Sequence, residues 1–199
     1  LHLCHHNLET INNTTPTASD TLLLEVCMAA KYEGKSITGY YPIYQTIYKD
    51  YGSTICTVLA RSFADIGDIV RGKDPFYGNP EEIKQRQQLE DKLKEIFQKI
   101  HDDVTKTNGK TNWQTLKKRY EGDTADFLKL REDWWEANRQ EIWKAITCEA
   151  KTDDKYFRNT CNGGSPTKGY CRCGNDEPGN DNPNTDPPTY FDYVPQYLR

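Results

Sequence analysis

The stretch Leu130 to Cys148, LREDWWEANRQEIWKAITC, constrains the fold more than any other part of the chain. It carries three of the four tryptophans, Trp134, Trp135 and Trp143, at helical spacing, and ends on a cysteine. A second helical stretch, Cys56 to Gly72, begins on a cysteine. If these two amphipathic helices pack antiparallel, the Cys56 and Cys148 thiols meet. That bridge would close a long loop and stabilise the fold by roughly 4–5 kcal/mol in the loop-entropy model.

Other helices follow from caps and periodicity. Ser19 or Asp20 caps a helix through Leu22–Glu33, with Gly34 ending it. A tyrosine run (Tyr40, Tyr41, Tyr44, Tyr48, Tyr51) suggests a separate helix past Pro42, which suits a first turn. Ser53 or Thr54 caps the next helix, to about Arg71, with Ile55, Val58, Leu59, Ser62, Ile66, Ile69 and Val70 inward. Asn79-Pro80-Glu81-Glu82 is a strong start for a helix to about Lys106, whose narrow stripe is Leu89, Leu93, Ile96, Phe97, Ile100 and Val104. Asn112 starts a short helix ended by Gly122. The tryptophan helix is expected from Ala125 to Ala150, burying Phe127, Leu130, Trp134, Ala137 or Asn138, Ile142, Ala145 and Cys148. No strand of convincing length and no repeat is present.

From Lys151 the character changes. Residues 162–189 are rich in Gly, Pro, Asn and Asp, and Cys161, Cys171 and Cys173 bracket their start. This predicts a disulfide-pinned loop in which Cys161 pairs with Cys171 or Cys173. Tyr190, Phe191, Tyr193, Val194, Tyr197 and Leu198 would then form the first turns of another helix. Seven cysteines leave at least one thiol over, and Cys4 and Cys27 are expected to pair either with each other or with residues upstream. The first residue is not Met and the chain stops within an aromatic-rich segment, so both ends look cut. Abundant cysteine places it in an oxidising, extracellular setting.

Several chemistries are disfavoured. A net charge of −4 argues against nucleic-acid binding by the whole chain. His2, Cys4, His5 and His6 form one cluster near an end, whereas zinc takes two separated ligand pairs. No cysteine is placed with a histidine base, and no phosphate loop is present. Asp65, Asp68, Glu132 and Glu136 read as ordinary helix ion-pair partners of Arg61, Arg131 and Arg139. No cofactor or metal is expected, and the chain is not expected to be an enzyme. The remaining ligand-binding candidates are Lys117, Lys118 and Arg119, beside Lys106 and Lys110 in sequence. Lysines and Arg86 along the 80–106 helix are diluted by interleaved acids.

Three segments carry a resemblance: LARSFADIGDIVRGKD (Leu59 to Asp74), LREDWWEANRQEIWKAITC and PTYFDYVPQYLR (Pro188 to Arg199). LLLEVCMAAKYEG and YFRNTCNGG also fit. The chain resembles the Duffy-binding-like domains of malaria parasites, more narrowly the alpha type at the head of the variant erythrocyte membrane protein 1 family. The resemblance implies an all-α, disulfide-braced helical bundle with long irregular loops. Residues 1–52 would end a first subdomain and supply entry helices, 53–150 would form the helical-bundle second subdomain, and 151–199 a disulfide loop, acidic linker and the start of a third. It also implies the Cys56–Cys148 pair. The implied function is host receptor binding at the surface of the infected erythrocyte, as the extracellular part of a membrane-anchored protein. Expected partners are erythrocyte or endothelial glycans (sulfated glycosaminoglycan or blood-group sugar), a protein receptor and host antibodies. The competing expectation is a non-adhesive spacer or antigenic module beside a binding domain.

Overall fold

The computed structural model describes residues 17–48, 54–75, 78–106, 113–123, 125–182 and 185–199. Five α-helices occupy them: α1 (Ala18–Tyr48), α2 (Ile55–Val70), α3 (Pro80–Lys106), α4 (Trp113–Arg119) and α5 (Leu128–Ile146). Two short 3-10 turns follow, Phe191–Tyr193 and Gln196–Leu198, where the sequence suggested the start of an α-helix. Among the described residues β pairing is limited to isolated bridges, such as Cys161 with Ser165. The architecture is all-α with irregular loops, as expected.

Local chemistry sets the helix ends. Thr17, rather than Ser19 or Asp20, caps α1: its hydroxyl accepts from the Asp20 amide at 3.2 Å, and the Asp20 carboxylate accepts from the Thr17 amide at 3.2 Å. Asn79 and Glu82 make the same reciprocal pair at the start of α3, each bond 2.9 Å. Helix α2 ends with Lys73 N–H bonding Asp68 C=O (2.7 Å) and Gly72 N–H bonding Ile69 C=O (3.1 Å). This is a Schellman motif with Gly72 at φ +69°.

Several boundaries differ from the sequence expectation, among them the end of α5, which stops at Ile146 and not Ala150. Helix α1 does not stop at Gly34 but continues through Pro42 to Tyr48. Gly34 is buried, and a Cβ there would sit 2.0 Å from the Ile146 carbonyl oxygen. The glycine therefore serves close helix approach, not termination. Helix α5 starts at Leu128, not Ala125, because Ala125 and Phe127 take positive φ (66° and 51°). The Asp123 carboxylate then accepts from the Lys129 and Leu130 amides (3.2 and 2.8 Å), two of the orphan donors of the first turn.

The chain divides into two compact units. The first contains Val26–Gly67 and Asn138–Arg199. Its core includes Leu59, Phe63, Ile66, Ile142, Trp143 and Ile146, all buried. Phe63 and Trp143 meet edge to face at 5.3 Å. The second contains Asp68–Ala137 together with the first turns of α1. The expected α3 stripe is its core, with Leu89, Leu93, Ile96, Phe97 and Ile100 buried and Val104 half-buried. Phe97 packs edge to face on Trp134 at 6.1 Å, and the Trp134 indole N–H donates to Ser19 Oγ at 2.9 Å. Trp134 is inward as expected, and Trp135 and Trp143 are buried as well, while Ala137 is exposed.

Candidate functional site: disulfides, buried arginines and the charged surface

The disulfide pattern corrects one expectation. Cys56 bonds Cys171, not Cys148, with Cα atoms 5.3 Å apart. Cys148 is a free, half-buried thiol, pushed up from its ordinary value by burial and by Glu149. The cause lies in the segment after α5. Tyr170 N–H bonds Lys151 C=O and Cys171 N–H bonds Asp154 C=O, each at 2.9 Å, folding the segment back on itself. Trp143 donates its indole N–H to the Cys171 carbonyl at 3.1 Å. Cys171 is thus delivered to the core of the first unit, where the first turn of α2 buries Cys56. Cys161 pairs with Cys173, which resolves the open alternatives. Cys27 is also a free thiol, pushed up to about 12 by burial and Glu141. Cys4 and the His2, His5, His6 cluster lie outside the described residues.

Arginines that looked like surface ion-pair partners turn out to be structural. Arg131 is fully buried; it donates to the carbonyls of Val70 (2.7 Å) and Ile69 (3.1 Å) and bidentately to Glu90 (2.6 and 2.9 Å). It supplies a donor to the Val70 carbonyl and a second one to that of Ile69 at the end of α2, and adds positive charge at the negative end of that helix. Arg172 does the same for α5, donating to Lys144 C=O at 2.7 Å and Thr147 Oγ1 at 2.8 Å. Arg71 bonds Glu132 at 3.0 Å and Asp68 at 3.2 Å, with its guanidinium 5.7 Å from the Trp135 ring. Arg139 bonds Asp192 through two nitrogens and the Thr189 carbonyl at 2.8 Å. A buried charge is tolerable only with such complete pairing. Nothing in their sequence spacing marks these long-range partners, which lie 41 to 62 residues away for Arg131.

Of the three expected ligand-binding residues, Lys117 and Lys118 are exposed on α4. Arg119 forks onto Asp133, both bonds 2.6 Å, while Tyr120 Oη donates to the same carboxylate at 2.9 Å. Hydrogen bonding to Arg119 holds the Asp133 carboxyl below the usual range. Arg119 is therefore committed to Asp133, and Lys117 and Lys118 are solvent-exposed beside it.

Sequence reasoning missed a cleft of about 420 Å³ in the second unit. The end of α2, the Gly72 turn, the first half of α3 and residues 126–128 build it. Ile83 and Leu128, each 51% exposed, are among its apolar lining. Asp74 and Arg86 form an ion pair in it at 3.3 Å, and Lys94 bonds Asp126 at 2.7 Å. Burial pushes the Asp74 carboxyl above its ordinary value, outweighing the pull of Arg86.

The whole chain, residues 1–199, matches the family model of the Duffy binding domain. No curated protein matches it. Among solved structures, the NTS-DBL1(alpha-1) domain of the Plasmodium falciparum membrane protein 1 (PfEMP1) from the varO strain is 38% identical. The match covers 99% of this chain and 40% of that one, with a TM-score of 0.68. The PfEMP1 IT4var13 DBLbeta domain bound to ICAM-1 is 32% identical over 74% of this chain and 34% of that one, with a TM-score of 0.52. A second structure of that ICAM-1-binding domain gives 32% identity, 74% and 33% coverage and a TM-score of 0.54. The chain thus spans less than half the length of each of these structures.

Proposed function

The chain belongs to the Duffy-binding domain family, and from that premise we propose that it is a host-receptor adhesion module displayed at the surface of the infected erythrocyte. It is a binding domain, not an enzyme. The observation that carries the reading is the match over the whole chain, combined with a relative solved in complex with the host protein ICAM-1. The physical basis is a division of labour. Buried arginines brace each unit from within and both disulfides lie inside the first, while the outer helix faces remain available for contacts. No described helix is long and apolar enough to cross a membrane.

Within this reading Lys117 and Lys118 on α4 form the contact for an anionic host group, such as a sulfated glycan, with Arg119 shaping the patch through Asp133. The test is binding of the purified chain to host erythrocytes and endothelial cells by flow cytometry, with heparin affinity measured across a salt series. Saturable cell binding is expected, with heparin retention that falls with salt and weakens in the Lys117→Ala/Lys118→Ala double variant. Absence of cell binding at low salt would support a spacer or antigenic role instead. Salt-insensitive cell binding would move the contact off α4 and onto a protein receptor.

A further inference from the structure

The cleft in the second unit has a chemistry the adhesion reading does not use. Its lining carries three carboxylates, Asp74, Glu90 and Asp126, against two cations, Arg86 and Lys94. Glu90 gives both oxygens to the buried Arg131 behind the wall, and Lys94 is held by Asp126. Asp74 is left with Arg86 as its ion-pair partner at 3.3 Å in a half-buried position, and its raised carboxyl pKa reports incomplete compensation. The apolar part of the lining includes Ile83 and Leu128.

Three classes of guest can be weighed against this lining. An anion would face three carboxylates and find both cations already engaged. A purely apolar group would strip water from Asp74 and Arg86 and return no hydrogen bond. A cation on an aliphatic stem meets both needs, since arginine and lysine lay their methylenes along apolar walls while the charged head finds a carboxylate.

We propose that this cleft receives a basic side chain of a host protein, its stem against Ile83 and Leu128 and its charged head on Asp74. The net charge of −4 favours approach of such a partner. The inference deepens the receptor-binding reading and rests on it for the source of the guest. It also separates this cleft from the α4 lysines, which would take an anion.

The test uses the full chain and a blocked peptide, acetyl-Leu-Arg-Leu-amide, against its neutral citrulline counterpart, followed by amide chemical shifts. The arginine peptide should perturb Gly72, Asp74 and Ile83 and bind about tenfold tighter than the citrulline peptide. Asp74→Asn should erase that preference, Ile83→Ser should weaken both peptides, and the exposed Asp153→Asn, outside the cleft, should change neither. Equal binding of the two peptides, an unchanged preference in Asp74→Asn, or no perturbation around the cleft would overturn the proposal. Cell binding by the same sample separates the two readings. Cells bound with an unperturbed cleft sinks the cleft alone; a peptide-filled cleft without cell binding sinks the adhesion reading alone.

Discussion

Arg139 and Asp192 lie 2.8 Å apart with both side chains almost wholly buried, joining α5 to the 3-10 turn at Phe191–Tyr193. The guanidinium also sits 5.8 Å from the Phe63 ring and within 5.5 Å of the Tyr190 and Tyr193 rings. A motif near the end of the chain is thereby fixed by one residue of the tryptophan helix.

Removing one partner of a buried pair strands the other charge. Arg139→Met should therefore cost about 3–5 kcal/mol in urea unfolding. Adding Asp192→Leu should recover part of that loss. A double variant at least as damaged as the sum of the singles would refute the pairing as the cause.

The two crosslinks should differ in worth. Cys56–Cys171 spans a sequence separation of 115 and Cys161–Cys173 one of 12. The loop-entropy model gives about 5 kcal/mol for the first and about 3 kcal/mol for the second. Cys56→Ser/Cys171→Ser should lower the denaturation midpoint more than Cys161→Ser/Cys173→Ser. Alkylation of the unreduced, unfolded chain followed by peptide mass mapping should label Cys27 and Cys148 and leave Cys56 blocked.

Two glycines of one helix should respond with opposite sign. Gly34→Ala places a methyl 2.0 Å from the Ile146 carbonyl oxygen and should destabilise by about 1–3 kcal/mol. Gly39 has nothing within 4 Å of an added Cβ, so Gly39→Ala should stabilise by about 0.5–1 kcal/mol. Thermal melts of both variants check the pair.

Acid should loosen the second unit. Hydrogen bonding to Arg119 holds the Asp133 carboxyl low. Burial pushes Glu132 up, but hydrogen bonds from Lys73 and Arg71 outweigh it and hold that carboxyl low too. A carboxyl depressed by folding contributes above its unfolded pKa and loses that contribution as pH falls through its folded pKa. Stability should therefore fall as pH drops from about 5 to about 3. Asp133→Asn should flatten that slope, visible in urea midpoints across the range.

Much of the fold was legible because its signals are local. The Asn79-Pro80 start of α3 and its apolar stripe need only neighbours within a turn or two, and both stand as expected. The inward Trp134 was legible for the same reason. Where a residue serves a distant partner, local reading misled. Gly34 looked like a helix stop and is a contact point for Ile146. Arg131 and Arg139 looked like solvent-facing ion-pair partners and are buried braces. The cleft was invisible because its lining comes from separate segments between Ile69 and Leu128.

The sequence by itself determined the helical class, the Asn79 start of α3 and the family, since such signals, periodicity and long matched segments are carried by neighbouring residues. Only the tertiary structure decided that Cys56 takes Cys171 in place of Cys148. A disulfide forms between sulfurs that the backbone brings within reach, and that reach depends on how the segment after α5 folds back through Lys151 and Asp154.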